Sequence, residues 1–163
     1  MQSSYQRMKR LYPLKPSVKR GDPQDHHLRK VPQYSGNPGW ILLTHSEDGD
    51  NEAMFVDRNE VPVPIHLVLD DRAFSDTVLR VLQLKPDLYV VYDVRFFNGK
   101  RVCETHTHAD RMYLVDGLVH TYHYPDLTAL ITPDDVNPDT VLRGYEFYDD
   151  QPGSMGVFLP AEE

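Results

Sequence analysis

The sequence predicts an α+β domain built mainly of antiparallel, twisted sheets with few short helices. Three observations carry that expectation. About eight short runs of aliphatic, β-branched and aromatic residues recur along the chain, bounded by Gly, Pro, Asn or Asp. The clearest stretch whose apolar spacing suits a helix face is Met112–Val119, and a strand is not excluded there. The longest β-former run, Leu88–Phe97, ends at Asn98-Gly99, the strongest short hairpin signal.

Taken in order, residues 1–38 contain Pro13, Pro16, Pro23, Pro32 and Pro38 and little apolar periodicity. Such a segment buries too little surface to offset its ordering entropy. It reads as an extended arm that orders only on binding. Tyr5 and Tyr12 alternate with basic residues, which suits stacking on bases or docking in a groove. One globular domain then spans 39–163. Trp40–Thr44 is a strand, His45–Asn51 a turn centred on Asp48-Gly49, and Ala53–Val56 the return strand. Val61–Ile65 alternates with proline and is confined to an edge or an extended connection. Asp76–Leu84 is a strand with room for one helical turn at its start, and Lys85–Asp87 turns into the central strand. After the hairpin the chain is expected to return through Lys100–Cys103. Val119–Tyr124, Val141–Tyr148 and Met155–Leu159 read as further strands.

The central run keeps Val and Tyr on both faces, so it belongs in mid-sheet, buried on both sides. A carboxylate inside it, Asp93, requires a partner or a task.

The chain has 163 residues and a net charge of −8. Its length suits one domain with a real core. No apolar run reaches membrane-spanning length, and the N-terminus lacks the apolar stretch of a secretory signal. A single cysteine, Cys103, excludes an internal disulfide framework and Cys-rich zinc sites. The expected setting is intracellular (nuclear or cytoplasmic), or a virion if the protein is viral. Residues 1–30 carry eight Lys/Arg against two Asp, and the remainder nine against 23 acidic residues. A basic arm precedes an acidic body. The arm either touches nucleic acid or an acidic partner surface, or is a solvated tail that folds back on its own body.

The order of elements resembles the nucleotidyltransferase core of messenger-RNA capping enzymes and ATP-dependent ligases, whose non-catalytic relatives include the cap-binding domain of snurportin. Ser46-Glu47-Asp48-Gly49 stands where the family has Lys-x-Asp-Gly. The strand ending in Asp57-Arg58-Asn59 is similar to the family's aromatic strand ending in Asp-Arg, and Leu69-Asp70-Asp71-Arg72 to its Leu-Asp-Gly-Glu. Tyr89–Asp93, Asn98-Gly99 and Arg111 match best. Arg143–Phe147 with Glu146, and Met155–Pro160, look like the last two motifs. The likeness covers roughly residues 39–160. It implies a ligand site including Trp40, Ser46, Asp48, Arg58, Asp70, Asp93, Arg111 and Glu146.

The departures imply loss of chemistry. Nucleotidyl transfer needs a lysine amine to attack the α-phosphate. Ser46 cannot form that phosphoramidate, Arg72 replaces the motif glutamate, and the final strand lacks its lysines. The resemblance therefore implies a member with no catalytic residue and no cofactor. What remains is binding. Trp40, Tyr92, Phe96, Phe97, Tyr145, Phe147 and Tyr148 are candidates for base stacking, although aromatics at strand spacing are more often core. Asp48, Asp70, Asp71 and Asp93 are candidates for holding a metal or a positively charged methylated base, or for capping turns.

His106-Thr107-His108 would place two imidazoles on one face of a strand, a weak metal candidate with Glu104, His120 or His123. The pair is also similar to cupin barrels, but Arg111 or Met112 stands where their glutamate belongs, and no histidine follows Pro152-Gly153. The resulting expectation is a non-catalytic domain that binds a nucleotide or an RNA 5′ end (cap), with protein partners reached through the arm 1–38. The alternative is a structural subunit of a virion or ribonucleoprotein, its pocket vestigial and its basic arm an anchor.

Overall fold

The structure, a computed structural model, describes residues 2–25, 29–119 and 128–161. It is an α+β domain of two curled sheets with few short helices. In chain order the described elements are α1 (Gln2–Leu11), β1 (Val18–Arg20), β2 (Arg29–Tyr34), β3 (Asn37–His45), β4 (Asn51–Asp57), β5 (Pro62–Pro64), β6 (Thr77–Lys85), β7 (Leu88–Phe96), α2 (Val102–Thr105), α3 (His108–Val119), β8 (Ala129–Ile131), β9 (Leu142–Tyr148) and β10 (Gly156–Pro160), with 3₁₀ turns at Asp71–Phe74 and Pro133–Asp135.

Six strands form one sheet in the order β5-β4-β3-β6-β7-β8, and four form a second in the order β1-β10-β9-β2. Pairing is antiparallel except at β7/β8 and β1/β10. The hydrophobic pattern explains the layers. Ile41, Leu43, Phe55, Leu79, Val81 and Val91 point to one face of the large sheet, where Val115 and Leu118 of α3 and Phe74 of the 3₁₀ turn cover them. On the opposite face, Leu42, Met54, Val56, Val78 and Phe96 receive Tyr5 and Met8 of α1. Beside α1 on that face, Leu82, Val90 and Tyr92 meet Val31 and Tyr34 of β2, which brings the small sheet against the large one.

The expected elements from β3 to β7 form where the sequence placed them. Asp48-Gly49 closes the β3–β4 turn, with Gly49 at φ 85°. β5 is an edge strand, as its prolines require. β7 lies between β6 and β8 with six consecutive buried residues, Tyr89–Val94.

Three expectations change. Residues 1–38 do not extend away from the body. Tyr5 and Met8, spaced i, i+3, are 2% and 0% exposed, so α1 docks through a two-residue apolar stripe. β1 pairs with β10, and β2 pairs with β9 as an edge strand, a position where Pro32 is tolerated. The folded body thus begins well before residue 39. The hairpin return at Lys100–Cys103 lasts one bridge, Phe97 to Lys100, across left-handed Asn98 (φ 51°) and Gly99 (φ 79°). Val102 then starts α2 and buries its side chain against the core. Met112–Val119 is helical, within α3. The expected strand Val119–Tyr124 lies outside the described residues apart from Val119, the last residue of α3.

No helix among the described residues is long and apolar enough to cross a membrane.

Candidate functional site

The eight residues expected to share one pocket divide into separate places. Three are consumed inside the protein. Asp93 on β7 and Arg111 on α3 are 1% and 2% exposed. Arg111 Nε donates to Asp93 Oδ1 at 2.7 Å, Nη2 to Oδ2 at 3.2 Å, and Nη1 to the carbonyl of His106 at 2.7 Å. Burial opposes ionisation of Asp93, but the Arg111 guanidinium prevails and holds the carboxyl below its ordinary range.

Glu146 on β9 faces the large sheet and is fully buried. Arg80 Nη1 donates to its Oε2 at 3.1 Å, Gln33 Nε2 to the same oxygen at 2.6 Å, and Tyr148 Oη to Oε1 at 2.5 Å. Burial again opposes the charge, and Arg80 with these hydrogen bonds outweighs it, so the carboxyl sits below its usual range. A carboxylate this fully partnered clamps the two sheets together and has no capacity left for a ligand.

His106 and His108 do not share a strand face. His106 ends α2 and His108 begins α3. His108 is buried, with Nε2 3.1 Å from the carbonyl of Tyr92 and its ring stacked on Tyr148. Among the described residues no group of three or more His, Cys, Asp or Glu is placed to hold a metal ion.

Ser46 follows β3 and takes part in the hairpin turn, its Oγ accepting from the Asp50 N–H at 3.3 Å. It lines a cavity of about 760 Å³ between the hairpin and α1, together with Arg7, Arg10, His45 and Asp76. Asp48 is exposed at the hairpin tip. Asp70 caps the 3₁₀ turn and pairs with Arg72 at 2.9 Å, on the surface. Hydrogen bonds from the Arg72 side chain and backbone bring its carboxyl to about 2.

Trp40 and Arg58 do come together. Trp40 on β3 lies directly opposite Arg80 on β6 and Val56 on β4, so these side chains share one sheet face. The chain leaves β4 at Asp57 and places Arg58 and Glu60 beside that row. The result is a groove of about 350 Å³ whose lining includes Tyr5, Trp40, Asp57, Arg58, Glu60 and Arg80. Its floor is aromatic and its rim carries both signs of charge. Tyr5 Oη and Arg80 Nε are buried here without a hydrogen-bond partner among the described residues. Hydrogen bonds from the Asn59 backbone N–H and then the Asn37 side chain lower the Asp57 carboxyl. Glu60 pairs with Lys9 of α1 at 3.4 Å.

Sequence reasoning missed Tyr5, Asp57, Glu60 and Arg80 as lining residues. The i, i+3 spacing of Tyr5 and Met8 was the available signal for the first. Arg80, a cation within an apolar strand, was the signal for the last. Compared with protein-family models and with curated proteins, the chain matches none of them.

Proposed function

We propose that this protein is a non-catalytic domain that binds a nucleotide or an RNA 5′ end in the groove beside Trp40. The observation that carries the reading is the row Trp40–Arg80 with Arg58 on the rim. The indole offers a stacking face for a base, and the Arg58 guanidinium suits phosphate oxygens, whereas the Arg80 guanidinium is held by Glu146. Asp57 and Glu60 on the same rim suit the donor edge of a guanine, or the positive charge of a methylated one. Loss of the nucleophilic lysine at Ser46 supports binding without transfer, as does the motif order that resembles capping enzymes and ligases. The alternative, a subunit anchored to neighbours by a free basic arm, loses its main support because α1, β1 and β2 pack on their own sheets.

The test is a titration with GTP, a methylated cap analogue and a short capped RNA, followed through the fluorescence of Trp40, the only tryptophan. Saturable quenching that is lost in Arg58→Ala supports the reading. A folded protein that responds to none of the three overturns it.

A further inference from the structure

The outer face of the small sheet is unlike the rest of the surface. Along β9, Gly144, Glu146 and Tyr148 are buried toward the large sheet, so Tyr145 and Phe147 point outward, while Arg143, at the register shift against β2, has its guanidinium 5.2 Å from the ring centroid of Phe158, which lies opposite Glu146 on the inner face. Tyr145 and Phe147 are half-buried, two residues apart and therefore about 7 Å apart along the strand. The register puts Lys30 of β2 opposite Phe147 and Pro32 opposite Tyr145, while Val157 of β10 lies between Phe147 and Lys19 of β1. The Lys30 ammonium sits 4.0 Å from the centroid of the Tyr145 ring. Lys19, Lys30 and Arg143 are all exposed. Asp149, at the end of the face, accepts from the Gln151 N–H and closes the following turn.

The basic segment singled out in the sequence is thus built into the two edge strands that flank these aromatics. In a chain of net charge −8, two lysines and two outward aromatics share one sheet face.

We propose that this face is a track for single-stranded RNA, with successive bases stacked on Tyr145 and Phe147 and phosphates paired with Lys19 and Lys30. The inference rests on the reading of the Trp40 groove as an RNA-end site, and it adds a second surface that contacts the body of the strand. Charge complementarity selects the occupant. A polyanion with exposed π-faces satisfies both features of the surface, whereas a duplex hides its bases from a flat sheet. A base stacking on Tyr145 displaces the Lys30 ammonium toward the adjoining phosphate.

The test is fluorescence anisotropy of a labelled, uncapped oligouridylate, which has no cap for the Trp40 groove to read. Binding is expected to weaken roughly ten-fold in Tyr145→Ala. The variant Lys19→Glu/Lys30→Glu changes only exposed side chains, so its fold is kept. It is expected to abolish binding and remove a log–log salt slope of about −1.4. Arg58→Ala is expected to lose the Trp40 quenching by cap analogue and keep oligouridylate binding, which separates failure of the end site from failure of the face. No binding by the unaltered protein, or unchanged affinity in both face variants, overturns the proposal. Equal affinity for oligothymidylate DNA overturns the assignment to RNA.

Discussion

His108 lies flat against Tyr148, with ring centroids 3.5 Å apart and planes within 6°. The stack joins α3 to the small sheet at the point where Tyr148 also bonds Glu146 and Arg80. His108 Nε2 donates to the Tyr92 carbonyl, which sets the tautomer, and Nδ1 has no partner among the described residues. Burial lowers the imidazole to about 4; Asp93 pulls the other way, while Arg111 and Arg29 add to the lowering. The folded state therefore holds neutral histidine, and the unfolded chain takes up the proton first, near pH 6.5. Stability should be constant above that value and fall as pH drops from about 6.5 to 4, by on the order of 3 kcal/mol. His108→Phe keeps a stacked ring and should flatten this loss. Melting temperature against pH for the two proteins checks it. The lowered carboxyls of Asp93 and Glu146 lose their contribution at lower pH, in both proteins alike.

The Asp93–Arg111 pair should show the asymmetry of buried ion pairs. Asp93→Asn leaves a guanidinium that is 2% exposed without its counter-ion and should cost about 3–5 kcal/mol. Replacing both partners, as Asp93→Leu with Arg111→Met, removes the stranded charge and should recover a large part of that loss. Urea unfolding midpoints of the two proteins decide the matter. A double variant no more stable than Asp93→Asn would show that the pair contributes net stability.

Asp76 fastens α1 to the body. It holds a left-handed backbone (φ 67°) and accepts from Thr44 Oγ1 at 2.6 Å, Tyr12 Oη at 2.7 Å and Arg7 Nη1 at 3.3 Å. Burial first, and then Asp76, pushes the Tyr12 hydroxyl up to about 12. Asp76→Ala removes these bonds and retains the backbone strain, whereas Asp76→Gly removes both. Both should loosen α1 and speed tryptic cleavage after Arg7, Lys9 and Arg10. The alanine variant should be the less stable, by about 1 kcal/mol. Unchanged cleavage in both would show that Tyr5 and Met8 alone hold the helix.

The strands were legible because their runs are long and apolar, and β7 was placed correctly because Val and Tyr occupy both of its faces. The demand that Asp93 have a partner was met by Arg111, which the sequence had named for a different role. What escaped was carried by few residues. α1 docks through Tyr5 and Met8 inside ten mostly polar residues, a stripe too thin to stand out from an arm with five prolines nearby. The small sheet joins β1 and β2 to strands more than a hundred residues away, and no local pattern encodes such pairing. The dispersed site has a geometric cause. Trp40 lies within β3 and Ser46 just past its end, six residues and about 20 Å further along, although both belong to one run of motifs.

Gly156 supports the His108–Tyr148 stack by what it lacks. A Cβ there would lie 2.6 Å from Tyr148 Cε1 and 2.7 Å from Cζ. The ring cannot retreat, because His108 lies against its face and its hydroxyl is held by Glu146 and Arg80. Gly156→Ala should therefore destabilise by about 1–3 kcal/mol, through a displaced ring or a bent β10. Gly117, inside α3, provides the opposite case. A Cβ there meets nothing within 4 Å among the described residues, so Gly117→Ala adds helix propensity without a clash there and should stabilise by up to about 1 kcal/mol. Thermal melts of the two variants beside the unaltered protein should move in opposite directions. Stabilisation by both would mean that Tyr148 has room to move, and that the clamp between the two sheets is softer than its hydrogen bonds indicate.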